Sequence, residues 1–262
     1  MPLEKTEAII LKIFNWSESS RTVLFFSKEY GKYALVDKGG RNIKSKRGRL
    51  QQFSLMEVTF YSSKKESSGY ISDVELIKMF SMEKEGTLGR LAYASAACEL
   101  LNLLLPEEEP QITLYQYFVR YLNKNDIVEK KYIPAIFIAF FIRTISQLGY
   151  HPSFNYCANC NKEINFETQT GFNLSPERGG VICQTCKKAG DYYIQLSNDS
   201  LRLLNVLQRA SLDEASSLPI GFKQTGVLLE VLEKLLAYQA GLNSRLKSLE
   251  FLNKLKNSNT LE

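Results

Sequence analysis

A chain of 262 residues is longer than one domain of about 100–200, and 44% hydrophobic with 23% charged residues excludes a disordered protein and leaves apolar material for two or three cores. The longest nearly apolar run, 133–142, is about half the roughly 20 residues of a membrane span, and the acidic N-terminus fits neither a signal nor a transit peptide, so the chain is expected in the cytoplasm, where paired cysteines stay reduced. The net charge of +5 falls wholly in residues 1–80, which hold 14 Lys and Arg against 9 Asp and Glu, while a single histidine argues against an enzyme built on imidazole.

Segments rich in Ile, Val, Phe, Tyr and Thr at 8–14, 21–27, 33–37, 55–62 and 70–77 predict five strands, the number of a small Greek-key barrel. Polar breaks separate them: 15–20, the tight turn Glu29-Tyr30-Gly31-Lys32, and the Ser/Lys-rich 62–69. An OB-fold holds nucleic acid on its second and third strands and in the loops joining strands one to two and four to five, which here carry Trp16 and Lys64 with Lys65. Between the third and fourth strands, Lys38, Arg41, Lys44, Lys46, Arg47 and Arg49 fall within twelve residues that contain no acid, and Gly39, Gly40, Ser45 and Gly48 favour a loop. Such a loop would engage phosphates without reading bases. Trp16 and Tyr33 would add stacking if exposed on the same face; the alternative packs both rings into the barrel and leaves the loop merely solvated.

Beyond Glu85 the period becomes helical. Tyr93, Ala97, Leu100, Leu101 and Leu104 form one apolar stripe stopped by Pro106, and the run Glu107-Glu108-Glu109 reads as a solvated loop between helices. Helices follow at 112–123 and about 131–148, the latter apolar nearly all round and therefore expected to be central. After a segment without helical period, helices resume at 197–210, capped by Ser197, at about 223–240 and at about 244–256. The expected organisation is an α+β multidomain chain: a barrel over 1–80, a helical domain over 86–150 and 193–257, and an insert over 151–192.

The insert holds Cys157-Ala-Asn-Cys160 and Cys183-Gln-Thr-Cys186, two C-x-x-C pairs 22 residues apart. A two-residue spacer lets both thiolates of a pair reach one ion at about 2.3 Å, and two pairs complete the tetrahedral shell of one structural zinc, with no open position for catalysis. A thioredoxin-like motif needs only one pair, iron–sulfur clusters use other spacings, and disulfides need an oxidising setting. Cys98 reads as a small buried residue of its helix, and His151, with four cysteines already present, as a surface or packing residue. No G-x-x-x-x-G-K-[ST], G-x-G-x-x-G or H-E-x-x-H string is present, which again argues against an enzyme.

Several strings taken together resemble the bacterial RecO family of recombination and repair proteins. They are Glu7-Ala8-Ile9-Ile10-Leu11, Ser17-Glu18-Ser19-Ser20-Arg21, Glu29-Tyr30-Gly31-Lys32, Lys38-Gly39-Gly40-Arg41, Leu50-Gln51-Gln52-Phe53, Leu91-Ala92-Tyr93-Ala94-Ser95, Leu148-Gly149-Tyr150, Ser175-Pro176-Glu177 with Gly179-Gly180, and the stretch Leu246-Lys247-Ser248-Leu249-Glu250-Phe251-Leu252. They occur in RecO order over nearly the whole chain. The resemblance implies an OB-fold, a helical domain and a zinc insert in a nucleoid-associated, non-enzymatic protein. Such a protein binds single- and double-stranded DNA, anneals complementary strands and, with RecR, loads RecA onto DNA covered by single-strand-binding protein, whose C-terminal tail it also holds. Two positions depart from the family: Asp37 stands where a small neutral residue is usual, and Gly40 replaces a common alanine. Where some members carry an arginine for the tail of single-strand-binding protein, the stretch 136–142 is apolar, and some members lack the cysteines. From another class, the alternative function is a zinc-stapled protein-interaction scaffold with incidental nucleic-acid binding.

Overall fold

The five expected strands form β1 (Leu3–Asn15), β2 (Arg21–Ser27), β3 (Gly31–Asp37), β4 (Ser54–Tyr61) and β5 (Gly69–Met79) in a computed structural model that describes residues 2–15, 17–40, 50–62, 69–167, 171–241 and 246–257. They close a barrel in the order β1-β2-β3-β5-β4, with β1 pairing both β2 and β4 and only β3 and β5 running parallel. This is an OB-fold. Alternation turns Ile10, Val23, Phe25, Leu35, Val58 and Phe60 inward. Tyr33 belongs to the same core, only 7% exposed, with its ring centroid 5.6 Å from Phe25 and 5.3 Å from Phe60. Of the two readings of Tyr33, stacking on bases if exposed or packing into the barrel, the structure shows the packed one, because Tyr33 shares the inward parity of Leu35 two residues on.

A register shift between Ile10 and Lys12 kinks β1, and the Gln52 amide donates to the Leu11 carbonyl at 2.7 Å. Leu50 fills the barrel core and the Phe53 amide donates to the Ile10 carbonyl, so the string 50–53 closes the barrel against β1.

Two compact units divide the chain. The first joins Met1–Lys84 to Cys98–Ile127, which comprises the end of α1 (Thr87–Leu104) and all of α2 (Ile112–Ile127). Phe26, outward on β2, packs edge-on against Tyr115 and near Phe118 of α2. The loop 107–109 was expected to be solvated, and its side chains are exposed, but its backbone is docked. The Glu108 amide donates to the Lys32 carbonyl at 2.8 Å, and Lys32 Nζ reaches the Asn102 carbonyl at 2.9 Å. Gly31 (φ 68°) permits this approach, since a Cβ there would lie 2.0 Å from the Glu109 carbonyl oxygen.

The second unit joins Glu85–Ala97 to Val128–Glu262. Its centre is α3 (Ile133–Gln147), buried at eleven positions from Ile133 to Ile145 and contacting α4 (Asn198–Arg209), α5 (Leu212–Ala215) and α6 (Phe222–Ala240). Ser197 caps α4 by accepting from the Ser200 amide, and Gly241 ends α6 in the left-handed region at φ 64°. A last helix, α7, covers Lys247–Asn257. Ahead of α4 lies a three-stranded sheet of β6 (Gly171–Ser175), β7 (Gly180–Ile182) and β8 (Ile194–Ser197), ordered β7-β6-β8. Among the described residues no helix is long and apolar enough to cross a membrane.

Candidate metal centre and nucleic-acid face

β7 brings the two cysteine pairs together. The Ser153 amide donates to the Gly179 carbonyl, the Val181 amide to the Ser153 carbonyl and the Ala158 amide to the Val181 carbonyl, each at 2.8–2.9 Å. Gly180 permits that contact, because a Cβ there would lie 2.5 Å from the Ser153 carbonyl oxygen. Cys157 thus sits beside the strand whose end, Ile182, delivers Cys183. Each pair closes on a tight turn: the Asn161 amide donates to the Cys157 carbonyl with Asn161 at φ 58°, and the Cys186 amide donates to the Cys183 carbonyl.

The sulfurs of Cys157, Cys160, Cys183 and Cys186 all lie within 4.8 Å of one another, with Cys160 and Cys183 at 3.7 Å. A tetrahedron with metal–sulfur bonds of about 2.3 Å has edges of about 3.8 Å, so the four residues could hold one metal ion with no ligand position left for substrate. Their acidities are split. The Thr185 hydroxyl, 3.0 Å from its sulfur, leads the groups that hold the Cys183 thiol down to about 6. Burial pulls Cys157 up, but the backbone amides of Cys183, Cys160 and Asn159 outweigh it and lower that thiol. The Lys162 amide pulls Cys160 down, yet the crowding of Cys186 and Cys157 sulfurs prevails and raises it to about 11. A cation at the centre would relieve this crowding. Around the sulfurs, the Asn159 amide donates to Cys186 at 3.3 Å and Arg178 donates to the Asn159 carbonyl oxygen, an orienting relay that sequence spacing did not reveal. His151 is exposed and outside the cluster; Cys98 is buried in α1, which raises its thiol.

Of the candidate DNA contacts, Lys38 is described: exposed at the end of β3, it places its ammonium 3.9 Å from the centroid of Tyr70. Trp16, Arg41, Lys44, Lys46, Arg47, Arg49, Lys64 and Lys65 lie outside the described residues. The strand ends on both sides of Trp16 and of Lys64 with Lys65, and the end of β3 that leads into 41–49, are described, and they lie side by side along one row of the barrel, the rim. Asn15 pairs with Arg21, Arg21 with Asp37, Val36 with Tyr70, and Tyr70 with Tyr61. Under this rim sits a buried ion pair, Arg21 Nε donating to Asp37 Oδ2 at 2.9 Å, with the side chains 8% and 0% exposed. Gly40 lies against the same carboxylate, and a Cβ there would stand 1.7 Å from Asp37 Oδ2.

Sequence reasoning missed three aromatics at the rim, on β1, β4 and β5. Phe14 and Tyr61 are 43% and 42% exposed and Tyr70 is half-buried. Lys12 stands 4.6 Å over the Phe14 ring, as Lys38 does over Tyr70. Such exposed cation–π contacts are worth about 0.5–1 kcal/mol. The alternation of Lys12 with Phe14 around the inward Ile13 was the available signal.

A closed OB barrel joined in one chain to a helical unit that carries an all-thiolate cluster defines a multidomain class of OB-fold protein. The chain matches the family model for the recombination protein O N terminal over residues 1–80 and that for the recombination protein O C terminal over residues 85–250. It belongs to the RecO family of DNA repair and recombination proteins. It is 28% identical over 260 residues to the DNA repair protein RecO of Symbiobacterium thermophilum, an alignment covering 98% of this chain and 100% of that protein. The DNA repair protein RecO of a Thermoanaerobacter species is 29% identical over 262 residues, 98% and 100% of the two chains, and that of Clostridium novyi 28% over 257 residues, 97% and 95%.

Proposed function

We propose that this chain is a non-enzymatic recombination mediator. It binds single- and double-stranded DNA at the rim of the barrel, anneals complementary strands and, with RecR, helps load RecA onto DNA covered by single-strand-binding protein. The observation that carries this reading is that, in a RecO family member, the ends of β1 and β2 that flank Trp16, the end of β3 that leads into the cations Lys38 to Arg49, and the ends of β4 and β5 that flank Lys64 with Lys65 lie side by side along one row of the barrel. Lysines and arginines that neutralise phosphates release counterions, which supplies affinity for any sequence, and bringing two neutralised strands together needs no chemical step. Zinc is the ion we assign to Cys157, Cys160, Cys183 and Cys186, because four thiolates at tetrahedral separation suit it and close it to catalysis. The acidic C-terminal tail of single-strand-binding protein would need an apolar pocket beside a cation, which the helical domain would supply.

The test is a salt titration. Replacing Arg41, Lys44, Lys46, Arg47 and Arg49 together by alanine should weaken DNA binding alike across sequences. It should also flatten the slope of log affinity against log salt by up to about 0.7–0.9 for each phosphate no longer neutralised. An unchanged slope in a folded variant would move the DNA site elsewhere, and weak, salt-insensitive binding by the parent protein would favour the interaction scaffold.

A further inference from the structure

Resting on the proposed DNA-binding role, we infer that Phe14 and Tyr70, with Tyr61 beside Tyr70, are the base-stacking platform of the barrel and make its rim prefer single-stranded over duplex DNA. The pairing register fixes the platform. Phe14 faces Thr22, Thr22 faces Val36, Val36 faces Tyr70 and Tyr70 faces Tyr61, and residues paired in this way share one face of a sheet. Their chain neighbours Ile13, Val23, Leu35, Phe60 and Ile71 fill or pack against the core, so the row is on the outside. Helix α2 takes the far end of the same outer surface at Phe26 and leaves the rim end, at Thr22, half-exposed.

From Phe14 to Tyr70 the row crosses three strand spacings, about 14 Å, with the small Thr22 and Val36 between the two rings. That is a saddle over β2 and β3, the surface an OB-fold offers to a nucleic-acid strand, where a site takes about 4–16 nucleotides. Lys12 and Lys38 stand over the two end rings, and a phosphate chain would draw each ammonium to itself. The uncovered ring then meets a base, a stronger contact than the exposed cation it replaces. A duplex keeps its bases stacked on one another and cannot use the rings, whereas every unpaired base has a face to offer. Asp73 and Glu75, exposed further along β5, lie past the level at which the parallel strand β3 ends and bound the surface there.

The experiment compares binding of an oligo(dT) and of a duplex of equal length by the full chain and by Phe14→Ala/Tyr70→Ala, at several salt concentrations. Affinity for the single strand should fall about tenfold per ring. Affinity for the duplex and the salt slope should hold, and Phe14→Tyr/Tyr70→Phe should restore the single-strand affinity. Single-strand affinity unchanged in a folded double variant, or equal losses on both DNAs, would overturn the inference. Should that variant fold poorly, Phe14→Ala and Tyr61→Ala singly, at well-exposed positions, decide the matter by the same criterion. A parent protein that binds neither DNA would overturn the DNA-binding reading itself, whereas loss of salt dependence only in the loop variant would leave that reading in place.

Discussion

Gly40→Ala should destabilise the barrel although it adds one methyl group. Its Cβ would lie 1.7 Å from Asp37 Oδ2, 2.1 Å from Cγ and 2.4 Å from Oδ1, well inside the 3.0 Å that real Cβ atoms keep. The carboxylate must retreat by more than about 1 Å, which its 2.9 Å bond to Arg21 Nε cannot survive at that geometry. Both side chains are buried, and breaking a buried pair by displacing one partner costs about 3–5 kcal/mol, because the other charge stays desolvated. Partial relaxation of the turn 38–40 would bring the loss toward about 2 kcal/mol, still a large share of the about 5–15 kcal/mol that holds a protein folded. The measurement is urea unfolding followed by circular dichroism, run as a double-mutant cycle with Asp37→Ser. Asp37→Ser alone takes the carboxylate from Arg21 and should destabilise, but in its background Gly40→Ala should be nearly neutral. Gly40→Ala within about 0.5 kcal/mol of the parent, or equally damaging in both backgrounds, would refute the reasoning.

Gly31→Ala should loosen the docking of residues 107–109 on β3, seen as faster amide exchange at Glu108 and a lower midpoint for the first unit, since its Cβ would collide with the Glu109 backbone. Removing metal with a chelator should release about one zinc per chain by elemental analysis and leave the circular dichroism of the barrel and α3 largely unchanged; a chain that never holds metal would refute the assignment. Asn159→Ala, which cuts the relay from Arg178 to the Cys186 sulfur, should weaken metal affinity about 10–100-fold in a chelator competition without altering stoichiometry.

What was legible in the sequence was whatever local pattern determines. Five strands announce themselves by apolar, β-branched and aromatic runs between polar turns, and α3 by its unbroken apolar surface. Strand β1 begins five residues earlier than its pattern implied, because Leu3–Glu7 is held by pairing with Tyr61–Glu57 rather than by its own periodicity. The short strands β6, β7 and β8 and the single turn α5 offer too few residues for a period, although Ser211 and Glu214 mark α5 with a capping box. The departures at Asp37 and Gly40 looked independent. They are one feature, since the carboxylate occupies the space an alanine would need, and only the β2–β3 register places Arg21 against it. In the candidate sites, the cysteine spacing alone defined the cluster, whereas the aromatic row needed the barrel's register across five strands.

The clamp of residues 153–158 on β7 changes what the ion contributes. In a small metal-dependent fold, binding closes a loop that is otherwise open, and the entropy of closure is charged to the metal. Here the hydrogen bonds between Ser153, Gly179, Ala158 and Val181 already close the ring joining the two pairs, so the ion tightens a loop whose ends have met. Its remaining work is confined to the turns at 157–162 and 183–187. A lineage could therefore lose the thiolates one pair at a time and keep the insert folded, provided that Gly180 remained.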